Sequence, residues 1–161
     1  FLRARGTAKV AKRAEKAANE GAIGSYVHFD GKTAVIIEVN CETDFVANTD
    51  DFKNLAKDLA MHVASTAPLS VSAEGIDEAV IERERAVYLE QVKEEGKPEH
   101  IAERIIEGKL QKFFKESALL AQPFVKDPDK TIEQLITEVS SKTGEKIEVA
   151  RFVRFKVGEF S

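Results

Sequence analysis

The sequence holds a single cysteine, Cys41. One thiol cannot close a disulfide within the chain or build a cysteine-rich zinc site, and a reducing compartment is its simpler setting. No apolar run approaches the roughly 18 residues that a membrane span needs, and no signal peptide is legible. Neither sign of charge dominates. The 24 Lys and Arg against 28 Asp and Glu leave a formal net charge of −4, which argues against a strongly basic nucleic-acid binder and against a disordered acidic tail. There is no P-loop and no dinucleotide fingerprint. The three histidines, His28, His62 and His100, show none of the i, i+3 or i, i+4 spacing that sets two metal ligands on one helix face. No metal and no cofactor are expected. Cys41 could serve as a nucleophile with His28 or His62 as base, but no cysteine-hydrolase signature surrounds it, and a small thiol ending an apolar strand reads as a packed residue. The chain is not expected to be an enzyme.

What is present suffices for a core. With 161 residues, 43% of them apolar, the chain suits one domain or one domain with an appendage. Residues 1–20 are basic and alanine-rich, and the composition predicts a helix from Thr7 to Ala18, read as a linker. Residues 21–161 are read as the core domain. GAIGSYVHFDGKTAVIIEVNC predicts a β-hairpin with strands near 24–29 and 33–40, joined at Asp30-Gly31 through a type I′ turn. The second strand is apolar on both faces, which predicts a central position.

A helix follows. Phe52, Leu55, Ala56, Leu59 and Val63 fall on one helical face, Thr49 with Asp50 and Asp51 supplies the cap, and Pro68 ends it. Further helices are predicted over about 76–95, from Pro98 through Phe113, and from Thr131 to Gly144. Gly108, inside the second of these, predicts the close approach of another backbone. Residues 118–130 read as an irregular link. The closing EKIEVARFVRFKVGEF has strand period, with Ile147, Val149, Val153, Phe155 and Val157 on one face. The fold class is α+β: a small three-stranded antiparallel sheet packed with several helices.

The stretch EVNCETDFVAN, 38–48, stands apart. An apolar strand ends in a polar turn carrying one large aromatic, Phe45. A core position is the ordinary fate of a phenylalanine. Here Val46 and Phe52 already occupy the inward positions, and Phe45 follows three polar or acidic residues. An exposed aromatic at a rigid junction is an anchor for a partner pocket.

EVNCETDFVAN resembles the signature of bacterial translation elongation factor Ts. FLRARGTAKVAKRAEKAANEG, DLAMHVASTAP, EGKPEHIAERIIEGKL, QPFVKD and RFVRFKVGE resemble further segments of that family, in family order. The resemblance spans essentially the whole chain. It implies guanine-nucleotide exchange on elongation factor Tu, engaged in its GDP-bound and nucleotide-free forms. It also implies a cytoplasmic protein of bacteria or an organellar counterpart. The family sets its TDFV segment near the GTPase's magnesium region, which on this chain is Thr43, Asp44, Phe45 and Val46. Met61 and His62 are expected as a secondary contact with the same partner.

Two departures stand out. The resemblance implies a small N-terminal helical domain that the sequence from Phe1 onward does not include, and TDFVAN runs directly into the next helix where longer members insert a second half-core. The chain therefore resembles the compact form, expected as a homodimer. An RNA-binding module built on basic residues 3–16 is the rival reading. With the resemblance in place, no membrane and no direct nucleic-acid contact are expected.

Overall fold

The computed structural model describes residues 17–159. The basic stretch through Lys16, and with it almost all of the expected linker helix, lies outside the described residues. Ala17 to Asn19 carry no regular structure and lead into the first strand. The chain divides into two compact units, one formed by residues up to Ala67 together with Pro123 onward, the other by Pro68–Gln122.

The first unit is built on the expected sheet. Strand β1 (Glu20–Val27), strand β2 (Thr33–Cys41) and strand β5 (Glu148–Lys156) are all antiparallel, in the order β1-β2-β5. β2 is central, as its apolar content requires. The hairpin turn differs from the expected type I′. Gly31 has φ 70°, but Asp30 does not share the left-handed region. Instead Gly31 N–H donates to the His28 carbonyl (2.8 Å), and Lys32 N–H donates to Asp30 Oδ1 (2.9 Å). This longer loop has one left-handed residue, and glycine fills it without a Cβ penalty.

Paired residues of an antiparallel sheet share a face. Val35, Ile37 and Val39 of β2 and Val149 of β5 lie on the buried face. Helix α1 (Asp44–Ala47) follows β2 at once, and helix α2 (Asp50–Thr66) then crosses that buried face. α2 buries Phe52, Leu55, Ala56, Leu59, Ala60 and Val63, which includes every residue of the predicted stripe. Gly24 of β1, opposite Ile37, is what lets α2 come so close, because a methyl group there would fall on the Ala56 carbonyl.

Strand β3 (Pro123–Phe124) pairs with β4 (Asp127–Thr131) where an irregular link was expected. Helix α5 (Ile132–Thr143) starts at a capping box between Thr131 and Gln134 and ends at Gly144, φ 78°.

β5 departs from its predicted facing. Arg151 pairs with Glu38 and Val149 with Val39, so Ala150 is an extra residue in a bulge. One inserted residue reverses the alternation. Val149 stays inside, while Val153 and Phe155 turn to the other face with Ile23, Val27 and Ile36, all five being exposed there for nearly half their surface or more. Arg154 takes an inner-face place opposite Val35 and donates from Nε to the Ala64 carbonyl.

The second unit contains helix α3 (Glu78–Glu94), capped by Asp77, and helix α4 (Glu99–Ser117). Gly96, φ 70°, reverses the chain between them. Val92, Ala102, Ile106 and Leu110 form their shared core, flanked by Ile81, Tyr88, Ile105 and Phe114. Gly108 does not mark the expected close approach, since a Cβ there would meet nothing within 4 Å.

The two glycines give opposite predictions. Gly108→Ala should raise stability by about 0.5–1 kcal/mol through helix propensity alone. Gly24→Ala should lower it by about 1–3 kcal/mol, because overpacking forces α2 off the sheet. Urea unfolding midpoints measure both.

Candidate functional site

The turn from β2 into α1 is held by hydrogen bonds from its own caps and from a distant carboxylate. Thr43 is the N-cap of α1, with extended φ −129° and ψ 154°, and its hydroxyl accepts a long hydrogen bond from Val46 N–H (3.4 Å). Asp44 opens the helix and suits its dipole. Asn48 closes it, donating from Nδ2 to the Asp44 carbonyl (2.9 Å). Thr49 then caps α2, donating to the Val46 carbonyl (2.7 Å) and accepting from Phe52 N–H (3.2 Å). A single-turn helix and the long α2 are thus joined cap to cap with little slack.

The side chains of α1 divide cleanly. Val46 and Ala47 are buried, while Phe45 is 87% exposed. Phe52 fills the core position beneath. Asp44 is also exposed, and among the described residues its carboxylate makes no hydrogen bond or ion pair. The junction therefore presents an acidic group and a bare aromatic ring side by side, on backbone that is fixed from below.

That fixing comes from far along the chain. The Glu145 carboxylate accepts through Oε1 from Glu42 N–H (3.1 Å) and Thr43 N–H (3.0 Å), and through Oε2 from the Thr43 hydroxyl (2.6 Å). In return, Glu42 Oε2 accepts from Lys146 N–H (2.6 Å). Sequence reading missed both crossings. The one local hint was Gly144, which ends α5 and leaves Glu145 on the turn just after it.

Cys41 is buried and donates its S–H to the Thr43 carbonyl (3.1 Å). Burial first, and the neighbouring Glu145 carboxylate second, push its thiol above the usual range. A thiol held protonated this way is a poor nucleophile, and its place is structural.

Met61 and His62 sit side by side on α2 with different fates. Met61 is partly exposed. His62 is fully buried, accepts at Nδ1 from Val125 N–H (3.3 Å), and lies 6.0 Å from the Phe124 ring between centroids. It presents no surface of its own, because the β3–β4 pair, absent from the sequence reading, closes over it.

Among the described residues no group of three or more His, Cys, Asp and Glu could hold a metal ion. No helix there is long and apolar enough to cross a membrane. Residues 3–16, on which the RNA-binding reading rested, are outside the described residues.

Residues 8–159 match the family model described as Elongation factor TS. The chain belongs to the elongation factor Ts family. Its relatives include the elongation factor Ts of Syntrophobacter fumaroxidans, 52% identical over 98% of this chain and 79% of the relative. That of Thermosipho melanesiensis is 52% identical over 98% of this chain and 81% of the relative. That of Geotalea daltonii is 49% identical over 99% and 74%. Membership in the elongation factor Ts family gives the RNA-binding reading no support.

Proposed function

We propose that this chain is a guanine-nucleotide exchange factor for elongation factor Tu, acting in the cytoplasm, and that Phe45 is the element that loosens the partner's hold on GDP. The observation that carries the reading is the exposed Phe45 ring on a pinned turn, in a member of the elongation factor Ts family. No covalent step is involved. A factor that binds the nucleotide-free GTPase better than the GDP-bound one must, by linkage, weaken GDP binding by the same factor.

The energetics favour a ring presented in advance. Burying a phenylalanine contributes about 1.5–3 kcal/mol. Ordering the backbone of even two residues costs about 1–2 kcal/mol each, enough to cancel it. A floppy turn would gain nothing by inserting its ring. A turn already held by caps and carboxylates keeps the full gain for displacing the partner's elements.

Magnesium tolerates little displacement, because it demands near-octahedral geometry and keeps several waters. Shifting the groups that orient those waters by about 1 Å weakens the ion, and the diphosphate loses charge compensation. Asp44, exposed beside the ring, is placed to meet a partner base. Thr43 caps the turn, and Val46 anchors it from behind. Met61 supplies the surface of the secondary contact, with His62 as the buried support beneath it.

The same reading includes a homodimer formed through the outer face of the sheet. Ile23, Val27, Ile36, Val153 and Phe155 make an exposed apolar face, and a second copy of that face is its natural cover.

The test is the release of fluorescent GDP from elongation factor Tu in excess unlabelled GDP. Addition of the chain at micromolar concentration is expected to accelerate release. An unchanged release rate overturns the reading.

A further inference from the structure

We infer that Glu145 is a positioning residue for exchange: its carboxylate holds the Glu42–Thr43 backbone so that Phe45 is offered in its working orientation before any partner arrives. This rests on the exchange reading above and adds a residue to it. Glu145 lies on a different element from the ring, just beyond the end of α5, and it does not belong to the TDFV segment.

Three contacts converge on one carboxylate. Oε1 takes the two successive amides of Glu42 and Thr43 at 3.1 and 3.0 Å, and Oε2 takes the Thr43 hydroxyl at 2.6 Å. Thr43 is the N-cap whose hydroxyl also accepts from Val46 N–H, so the carboxylate fixes both the backbone and the side chain that start α1. An ionised acceptor makes the stronger class of hydrogen bond.

Glu145 is itself held. Gly144 in the left-handed region turns the chain back at the end of α5, and Ser140 Oγ donates to the Glu145 carbonyl. The return bond from Lys146 N–H to Glu42 Oε2 closes a second crossing beside the first. The start of β5 and the end of β2 are thereby laced together beneath the exposed ring. No oxygen of Glu145 is required to reach a partner for this to matter, because the carboxylate acts through Thr43 on Phe45.

The substitutions separate this role from mere support. Glu145→Ala removes all three contacts. Glu145→Gln keeps an oxygen for the amides and can donate to the Thr43 hydroxyl. Glu145→Ala is expected to reduce stimulated GDP release about tenfold, and Glu145→Gln to retain it within about threefold. The amides of Glu42 and Thr43 are expected to lose hydrogen-exchange protection on the order of tenfold or more in Glu145→Ala, while the α2 amides keep theirs.

The deciding measurement is the double variant. If Glu145 acts through the ring, Phe45→Ala/Glu145→Ala exchanges no more slowly than Phe45→Ala alone. Full additivity of the two losses overturns the inference, as does a Glu145→Ala protein that stimulates like the parent. If Phe45→Ala itself stimulates like the parent, the wedge reading and the positioning role fall together. If Phe45→Ala is impaired and Glu145→Ala is not, only the positioning role falls. Should Glu145→Ala fail to fold, Glu145→Asp, which keeps the charge but is one methylene too short for the three contacts and is expected to lose stimulation, gives the same comparison in the two backgrounds. A loss that is the same size with and without the Phe45 ring then overturns the inference.

Discussion

Phe45→Ala is expected to reduce the stimulation of GDP release from elongation factor Tu by about 10–100-fold, which is what losing roughly 1.5–3 kcal/mol of aromatic burial in the complex predicts. Its own fold should hardly notice. The ring is 87% exposed, so its removal leaves no cavity, and exposed substitutions usually change stability by less than about 0.5 kcal/mol. Fluorescent GDP release and urea unfolding, measured on the same preparation, make the comparison. A stability loss of several kcal/mol with undiminished exchange would make Phe45 a core residue and leave the exchange reading without its instrument. The loss should appear at saturating factor as well as in apparent affinity, because the ring is realised fully only once the partner's elements have moved. Phe45→Leu, which keeps an apolar side chain of smaller reach, should fall between the two.

The second large effect concerns the sheet. Ile36 and Phe155 lie on the same outer face, 54% and 70% exposed. Ile36→Asp with Phe155→Asp should raise the dimer dissociation constant at least about a thousandfold, since each change counts twice across a twofold axis and leaves charges facing apolar surface. Sedimentation at micromolar concentration should show the parent as a dimer and the double variant as a monomer. The buried face, on the other side of β2, is untouched, so far-UV circular dichroism should be unchanged. A parent chain that sediments as a stable monomer at that concentration would overturn the homodimer.

Some of this was written locally in the chain. Phe52, Leu55, Ala56, Leu59 and Val63 recur at helical spacing, and all five are buried on α2. Thr49, Thr131 and Gly144 mark helix ends by cap chemistry that needs no distant partner. β2 reads as central because both of its faces are apolar. Phe45 could be read as exposed from its neighbours alone: acidic and polar residues before it, and Val46 and Phe52 already in the inward places.

Other features could not be read that way, for reasons that differ. Simple alternation sets Val153 and Phe155 on the face of Val149, and one extra residue at Ala150 reverses them; a bulge is a property of the pairing between two strands and leaves no mark in either one. Gly24 and Gly108 look alike in sequence. One faces the Ala56 carbonyl and the other faces open space, because the neighbour that makes a glycine necessary belongs to another element. His62 looked available on α2 until the β3–β4 pair, with a strand of only two residues on one side, placed Phe124 beside it.

The sequence by itself determined the family, the helical stripes, the central strand and the aromatic on its acidic turn, since each depends on contacts between residues near one another in the chain. The tertiary structure alone decided what holds that turn. Glu145 stands 102 positions from Thr43, and no periodicity or motif links them. The two hydrogen bonds between them, and the third from Glu42 N–H to Glu145, exist only because the sheet brings the end of β2 beside the start of β5, which is a consequence of long-range strand pairing.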